Sequence, residues 1–152
     1  MSAVVFLDID GVLNSTESAI RLGTYKRLCQ RAVANLNLVT LTTQAEIVVS
    51  SSWRIIHDLA RLRVLLSEAG VKAHVRDVTP QLVSVQGSGG LYLSRPRRDE
   101  IRAWLDAHPD VDRWVVLDDS SDAGPDRYVQ PDFAVGMSAE DAQAAIAILG
   151  AA

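Results

Sequence analysis

Apolar positions along this chain follow two patterns. Short unbroken runs occur at Ala3–Leu7, Ile47–Val49 and Trp114–Leu117. Such a run reads as a strand covered on both faces of a parallel sheet. Strands are therefore predicted over Ala3–Asp8, Glu46–Ser50 and Trp114–Leu117, with Val71–Val75 as a further strand. Between the runs, apolar residues recur at helical spacing. Val33, Leu36 and Leu41 give an inward face to a helix over Arg27–Thr43. Ile56, Leu59, Leu62 and Leu66 do the same for a helix from Ser52 to Glu68, which Gly70 stops. Ile101, Trp104 and Leu105 mark a helix over Arg97–His108, with Pro109 just past it. Ser138, as an N-cap with Asp141 three residues on, opens a last helix that turns Ala142, Ala145, Ile146 and Leu149 inward. Two segments break the pattern. Thr79–Ser94 reads as an excursion with Gln86–Gly90 as its flexible tip, and Tyr128–Val135 as a weak strand or pair of strands interrupted by Pro131. The alternation of strands and helices argues for an α/β fold, with a parallel sheet covered on both faces.

Length and composition bound this picture. A chain of 152 residues with 48% hydrophobic and 22% charged residues suits one globular domain over 1–152 with a real core. The single cysteine, Cys29, excludes an internal disulfide and fits a reducing compartment. No run reaches membrane-span length, and Met1-Ser2-Ala3 lacks the basic region of a signal peptide, so a cytoplasmic location is expected. A net charge of −4 weighs against strong nonspecific nucleic-acid binding. It leaves room for a local basic patch at Arg95-Pro96-Arg97-Arg98 with Arg102. His57, His74 and His108 are scattered and form no zinc spacing.

Candidate chemistry begins where the first run ends, in Phe6-Leu7-Asp8-Ile9-Asp10-Gly11-Val12. Ligands of open α/β sheets bind at the carboxyl ends of strands. Two carboxylates there are costly unless a cation or hydrogen bonds compensate them. Gly11 permits a sharp turn and a close backbone approach. The pattern suits a hard cation and a phosphoryl group. An EF-hand loop counted from Asp8 would need an oxygen ligand, a glycine and a glutamate where Val12, Leu13 and Ala19 stand, so that reading fails. Two more strand ends are polar: Ser50-Ser51-Ser52 and Asp118-Asp119, with Asp122 a turn later. In a parallel sheet these ends share one edge.

Together these segments resemble the haloacid-dehalogenase (HAD) superfamily over nearly the whole chain. Asp8-Ile9-Asp10-Gly11-Val12 is similar to its first motif and Ile47-Val48-Val49-Ser50 to its second. Arg97 or Arg98 stands where the family places a lysine or arginine, and Val115–Asp119 is similar to the acidic fourth motif. Ser50-Ser51-Ser52-Trp53-Arg54, Glu100-Ile101 with Trp104-Leu105, and Gly136-Met137-Ser138 resemble more narrowly the HAD domains found alone or in RNA-repair proteins. Polynucleotide phosphatase domains have a similar layout. The resemblance implies a Rossmann-like three-layer sandwich with a mostly parallel central sheet. It also implies an Mg2+-dependent phosphatase. Asp8 is then the nucleophile, and Asp10 the general acid and base. Ser50 donates to the phosphoryl group, and Arg97 or Arg98 neutralises charge. The metal falls to Asp8, the Asp10 carbonyl, Asp118 and Asp119. Adjacent helical residues point about 100° apart, so one arginine faces the site, with Arg97 preferred and Arg98 open.

Neither of the family's two cap positions, here Asn14 to about Arg31 and Thr79–Ser94, has room for a large cap domain. An open site suits phosphates on large partners, such as polynucleotide 3′-phosphate ends, while closed lids suit small metabolites. A small-metabolite phosphatase is the alternative, as is a non-catalytic HAD-like or receiver-like phosphate-binding module. A receiver would carry its phosphoacceptor aspartate after a middle strand, where this chain has Ser50. Trp53 is read as packing at a helix start or as a base-stacking residue. Arg54 is read as a phosphate contact, a brace for an aspartate or a surface residue.

Overall fold

The computed structural model describes residues 2–86 and 90–150. The chain runs β1 (Ser2–Leu7), α1 (Thr16–Leu22), α2 (Gln30–Thr43), β2 (Glu46–Val49), α3 (Trp53–Ile56), α4 (Leu59–Glu68) and β3 (Val75–Val78). It continues through a hairpin of β4 (Val83–Gln86) and β5 (Leu91–Ser94), α5 (Arg97–Ala107), β6 (Val111–Leu117), a 3-10 turn (Ser121–Ala123), β7 (Tyr128–Val129) and α6 (Ala139–Leu149). Five strands form one all-parallel sheet in the order β3-β2-β1-β6-β7.

The unbroken apolar runs are explained by the two cores. Along β1, Ala3, Val5 and Leu7 face a core built with α2, α4 and α6, whereas Val4 and Phe6 face a second core built with α5. Side chains alternate across a strand, so a strand covered on both faces needs apolar residues throughout. The first core takes Val33 and Leu36 from α2, Leu62 and Leu66 from α4, and Ala142, Ala145 and Leu149 from α6. In the second, the Trp104 ring meets Phe6 edge-on at 5.5 Å. This is the expected three-layer α/β sandwich. Among the described residues no cap domain is present: α1 alone stands between β1 and α2, and the hairpin alone between β3 and α5.

Local differences from the sequence reading have physical reasons. The helix expected over Arg27–Thr43 starts at Gln30, because the Cys29 N–H is taken by the Leu13 carbonyl at 2.7 Å. Leu41 is 65% exposed and does not face inward. The helix expected from Ser52 to Glu68 is two helices. Asp58 N-caps the second by accepting from the Arg61 N–H, and the break leaves Ile56 78% exposed. The third strand lies at Val75–Val78 rather than Val71–Val75. Its polar residues are engaged instead of solvated: Arg76 pairs with Asp110 at 3.0 Å and Asp77 accepts from the Trp104 indole at 2.7 Å. The excursion contains the hairpin, and Gly87, Ser88 and Gly89 of its expected tip lie outside the described residues. The Tyr128–Val135 segment keeps only the strand Tyr128–Val129. The Ser138–Asp141 capping box forms as read.

Arg54 is neither the surface residue nor the aspartate brace considered for it: its side chain is buried and ties three segments together. Its guanidinium donates to the carbonyls of Ser50 (2.8 Å), Ser51 (2.9 Å) and Thr79 (3.0 Å), and pairs with Glu100 Oε1 at 2.8 Å. Glu100 Oε2 accepts from the Leu82 N–H at 2.8 Å. The pair therefore locks the carboxyl ends of β2 and β3 to α5. Removing one member of a buried pair strands the other charge, which typically costs about 3–5 kcal/mol. Arg54→Ala is expected to lower the unfolding free energy by about that amount in urea titrations. A loss below about 1 kcal/mol would mean that the pair is not a structural tie.

Candidate active site

The parallel ladder continues one residue past each strand, and this aligns the polar ends. Asp8 N–H donates to the Leu117 carbonyl (2.9 Å), Ser50 N–H to Leu7 (3.0 Å), Thr79 N–H to Val49 (3.0 Å) and Asp118 N–H to Val129 (3.3 Å). Thr79, Ser50, Asp8 and Asp118 thus form a row across the carboxyl edge. Strand alternation turns this row toward the α5 face, because Val48, Phe6 and Val116 two residues earlier face that core.

Asp8 and Asp118 are buried at 3% and 0% exposure. One oxygen each from Asp8, Asp118 and the half-buried Asp119 lies within 4.8 Å of the others. Arg97 lies between the first two, its Nη1 2.9 Å from Asp8 Oδ1 and 2.8 Å from Asp118 Oδ2. The backbone N–H of Arg97 donates to Asp122 Oδ2 at 3.3 Å, which anchors the start of α5. Arg98 turns away, with Nη1 3.3 Å from the Asp122 carbonyl. Asp118 Oδ1 accepts from the Ser120 N–H at 2.9 Å. Gly11 lets Asp119 approach. At φ +83°, a Cβ there would lie 2.6 Å from the Asp119 Cγ and 2.6 Å from the Phe133 ring.

The electrostatics are those of an under-neutralised site. Burial, then the charge of Asp118, push the Asp8 carboxyl up to about 8, although Arg97 pulls the other way. Burial also raises Asp118, against Arg97 and the Ser120 N–H. One guanidinium does not compensate three carboxylates. A set of carboxylate oxygens converging in a small space is what a hard divalent cation takes as ligands. The residues therefore fit a divalent metal, held by Asp8, Asp118 and Asp119.

The Asp10 carboxylate stands beside this side-chain cluster rather than in it. Asn14 Nδ2 donates to Asp10 Oδ1 at 2.8 Å, and the Trp53 indole N–H lies 3.2 Å from both Asp10 oxygens. Asn14 is itself fixed, accepting from the Gly11 N–H at 2.8 Å and donating to the Tyr25 carbonyl at 2.7 Å. Trp53 packs partly buried against the first core, as the packing reading has it, and in addition joins the site through its indole N–H. Ser50 Oγ and Thr79 Oγ1 are, among the described residues, the buried side-chain polar atoms without a hydrogen-bond partner. They are neighbours in the row, where a bound oxygen would satisfy them. The sequence reading missed Thr79 and Asn14 as site residues, and the Trp53 indole N–H as a partner of Asp10. Asn14 follows the Asp-x-Asp-Gly turn closely enough to have been considered, whereas Thr79 depends on the position of β3. The expected basic patch is largely neutralised within the chain: Arg95 pairs with Asp99 at 3.1 Å, Arg97 with Asp8 and Asp118, and Arg102 lies 3.8 Å from Asp126.

The raised Asp8 carboxyl has a consequence for stability. Between the unfolded value near 3.8 and the folded value of about 8, the folded state binds more protons. Stability from this group is full below the lower value and is lost as pH rises through the upper one. Metal-free protein is therefore expected to lose melting temperature between about pH 5 and pH 8, and Asp8→Asn to flatten that slope. A divalent cation should restore more stability at the higher pH, because it displaces protons. Calorimetry with and without chelator tests this; a metal effect equal at both pH values would contradict it.

The chain matches, over residues 4–142, the family described as the HAD domain in Swiss Army Knife RNA repair proteins. No curated protein and no solved structure matches it. The match runs from β1 into α6 and so takes in the parallel sheet and the whole acidic edge. By that coverage, the chain belongs to this family of HAD domains.

Proposed function

We propose that this domain is an Mg2+-dependent phosphomonoester hydrolase that works through an aspartyl phosphate on Asp8, with polynucleotide 3′-phosphate ends as its substrate class. The observation that carries the reading is the edge itself. A buried carboxylate just past β1 is flanked by two more carboxylates, one arginine and two buried hydroxyls that lack partners among the described residues. Membership of a HAD family supports phosphatase chemistry, and the family's description as RNA repair supports the nucleic-acid end. The open edge suits a phosphate carried on a large molecule.

A phosphate monoester and a carboxylate repel each other, so attack requires neutralisation. Asp8, Asp118 and Asp119, with the Asp10 carbonyl, would hold Mg2+, whose positive charge would keep Asp8 ionised and lower this repulsion. The remaining chemistry belongs to the chain. Asp8 attacks phosphorus, and the bond to the leaving oxygen breaks as Asp10 delivers a proton to that oxygen. Water then attacks the phosphorus of the aspartyl phosphate and gives a proton to Asp10, and the phosphorus–oxygen bond to Asp8 breaks. Arg97 offsets the anionic charge shared by Asp8 and the phosphoryl group. Ser50, and Thr79 beside it, donate hydroxyl hydrogens to phosphoryl oxygens. Trp53 and Asn14 aim the Asp10 carboxyl.

Three variants test the assignment with a generic aryl phosphate. Asp8→Asn is expected to abolish phosphate release while the protein stays folded. Arg97→Ala should lower kcat/KM by about 10²-fold or more, and Arg98→Ala by much less. Turnover by purified Asp8→Asn well above background, or a greater loss in Arg98→Ala, would contradict the site. The same assay addresses the metal. Mg2+ should activate and excess chelator should stop turnover. Ca2+ should inhibit, because it accepts more ligands and can engage both oxygens of Asp8. Full activity in chelator would sink the metal-dependent reading.

A further inference from the structure

Two cavities, of about 720 and 610 Å3, adjoin one another beside the site and share Lys26, Trp53 and Leu65 as lining residues. Asp10 lines the second. Their walls carry Arg21, Lys26, Arg27, Arg31 and Arg61, against Glu68 as the carboxylate of the first and Asp10 as that of the second. On a chain of net charge −4 this is a local concentration of cations. Most other arginines of the fold are occupied: Arg54 on Glu100, Arg76 on Asp110, Arg95 on Asp99, and Arg127 on the Trp114 and Ile148 carbonyls. Among the described residues, Lys26, Arg27, Arg31 and Arg61 enter no ion pair. All four are exposed.

Aromatic surface borders the second cavity. Tyr25 is 41% and Phe133 43% exposed, their ring centroids 6.1 Å apart, and Tyr25 also lines that cavity. Trp53 and His57 lie on the same cavity wall, 6.1 Å apart. A groove combining unpaired cations with aromatic faces is the arrangement that holds single-stranded nucleic acid, by phosphate contacts and base stacking.

We infer that this groove, running from Asp10 past Tyr25 and Trp53 to Arg27 and Arg31, is the binding track for the polynucleotide strand that carries the scissile phosphate. The inference rests on the proposed reading in one respect: Asp10 meets the leaving oxygen, so the group attached to that oxygen must depart from Asp10. The track starts there. It replaces the basic patch around Arg95–Arg98, whose cations are largely spent on carboxylates of the chain itself. Charge complementarity favours a polyanion, and the aromatic border favours one with stackable bases.

The test separates binding from turnover. A fluorescent 3′-phosphorylated oligoribonucleotide of about ten residues is titrated into Asp8→Asn protein, with the Arg27→Glu/Arg31→Glu and Lys26→Glu/Arg61→Glu pairs added in turn. Each pair should weaken binding at least about tenfold and make the dependence of log Kd on log salt shallower by about two. In an otherwise wild-type background the same pairs should leave aryl phosphate hydrolysis within about twofold, and melting temperatures should be unchanged. Unaltered oligonucleotide affinity in both pairs would overturn the inference. So would a parallel loss of aryl phosphate hydrolysis, which would mean that the substitutions act through the catalytic edge. A phosphopeptide of matched charge serves as the second probe; if the pairs abolish its binding and spare the oligonucleotide, the groove takes protein and the inference fails. Groove-dependent oligonucleotide binding with no turnover of any phosphate would support the track and count against the phosphatase reading. Aryl phosphate turnover with groove-independent oligonucleotide binding would do the reverse.

Discussion

Asp8 and Asp118 lie side by side, buried, at the end of the two central strands of a parallel sheet, with one arginine between them. Burial first, and then the like charge of Asp118, raise the Asp8 carboxyl to about 8, a cost that a compensating cation would relieve. Much of the surrounding structure meets this constraint. The order β2-β1-β6 makes the two aspartates neighbours. Arg97 sits in the first turn of α5, where the helix dipole disfavours a cation, so its position makes sense only against the anions it faces. Asp122 anchors that turn from below. Gly11 removes the Cβ that would exclude Asp119 from the cluster.

A second set of contacts holds the edge still. Arg54 and Glu100 satisfy the carbonyls and the N–H group where β2, β3 and the segment after β3 run out of partners. Asn14 and Trp53 do the same for the Asp10 carboxyl. Against this rigid frame, Ser50 Oγ and Thr79 Oγ1 stand out as unpaired. A site whose supports are saturated and whose facing hydroxyls are free is arranged to receive oxygens from outside. The open groove beside Asp10 gives a large substrate somewhere to lie.

The layered α/β sandwich was legible because its strands are covered on both faces, which leaves unbroken runs such as Ala3–Leu7 and Trp114–Leu117. The Asp8–Asp10–Gly11 turn, Ser50 and Asp118-Asp119 were legible for a related reason: they end those runs. The strand at Val75–Val78 was misplaced because Arg76 and Asp77 make it look like loop, and only their partners, Asp110 and Trp104, reveal it as covered. Thr79 was lost with it. Trp53 was read as a packing residue but not as a partner of Asp10, and Arg54 was found as a residue but not in its role. A long side chain at a helix start reaches in several directions, and its partner, Asp10 or Glu100, lies far away in sequence. The basic groove was invisible for the same reason, since Arg27, Arg31 and Arg61 come together only when α2 and α4 pack on one face.

The central claim is that Asp8 itself becomes phosphorylated. Its most direct test is a rapid acid quench during turnover, followed by peptide mapping by mass spectrometry. An Asp10→Asn variant is run in parallel, so that a slowed second step lets the intermediate accumulate. One added phosphoryl group is expected on the peptide that contains Asp8, located on Asp8 and absent when Mg2+ is withheld. Sustained phosphate release with Asp8 never modified, or the phosphoryl group found on another side chain, would contradict it.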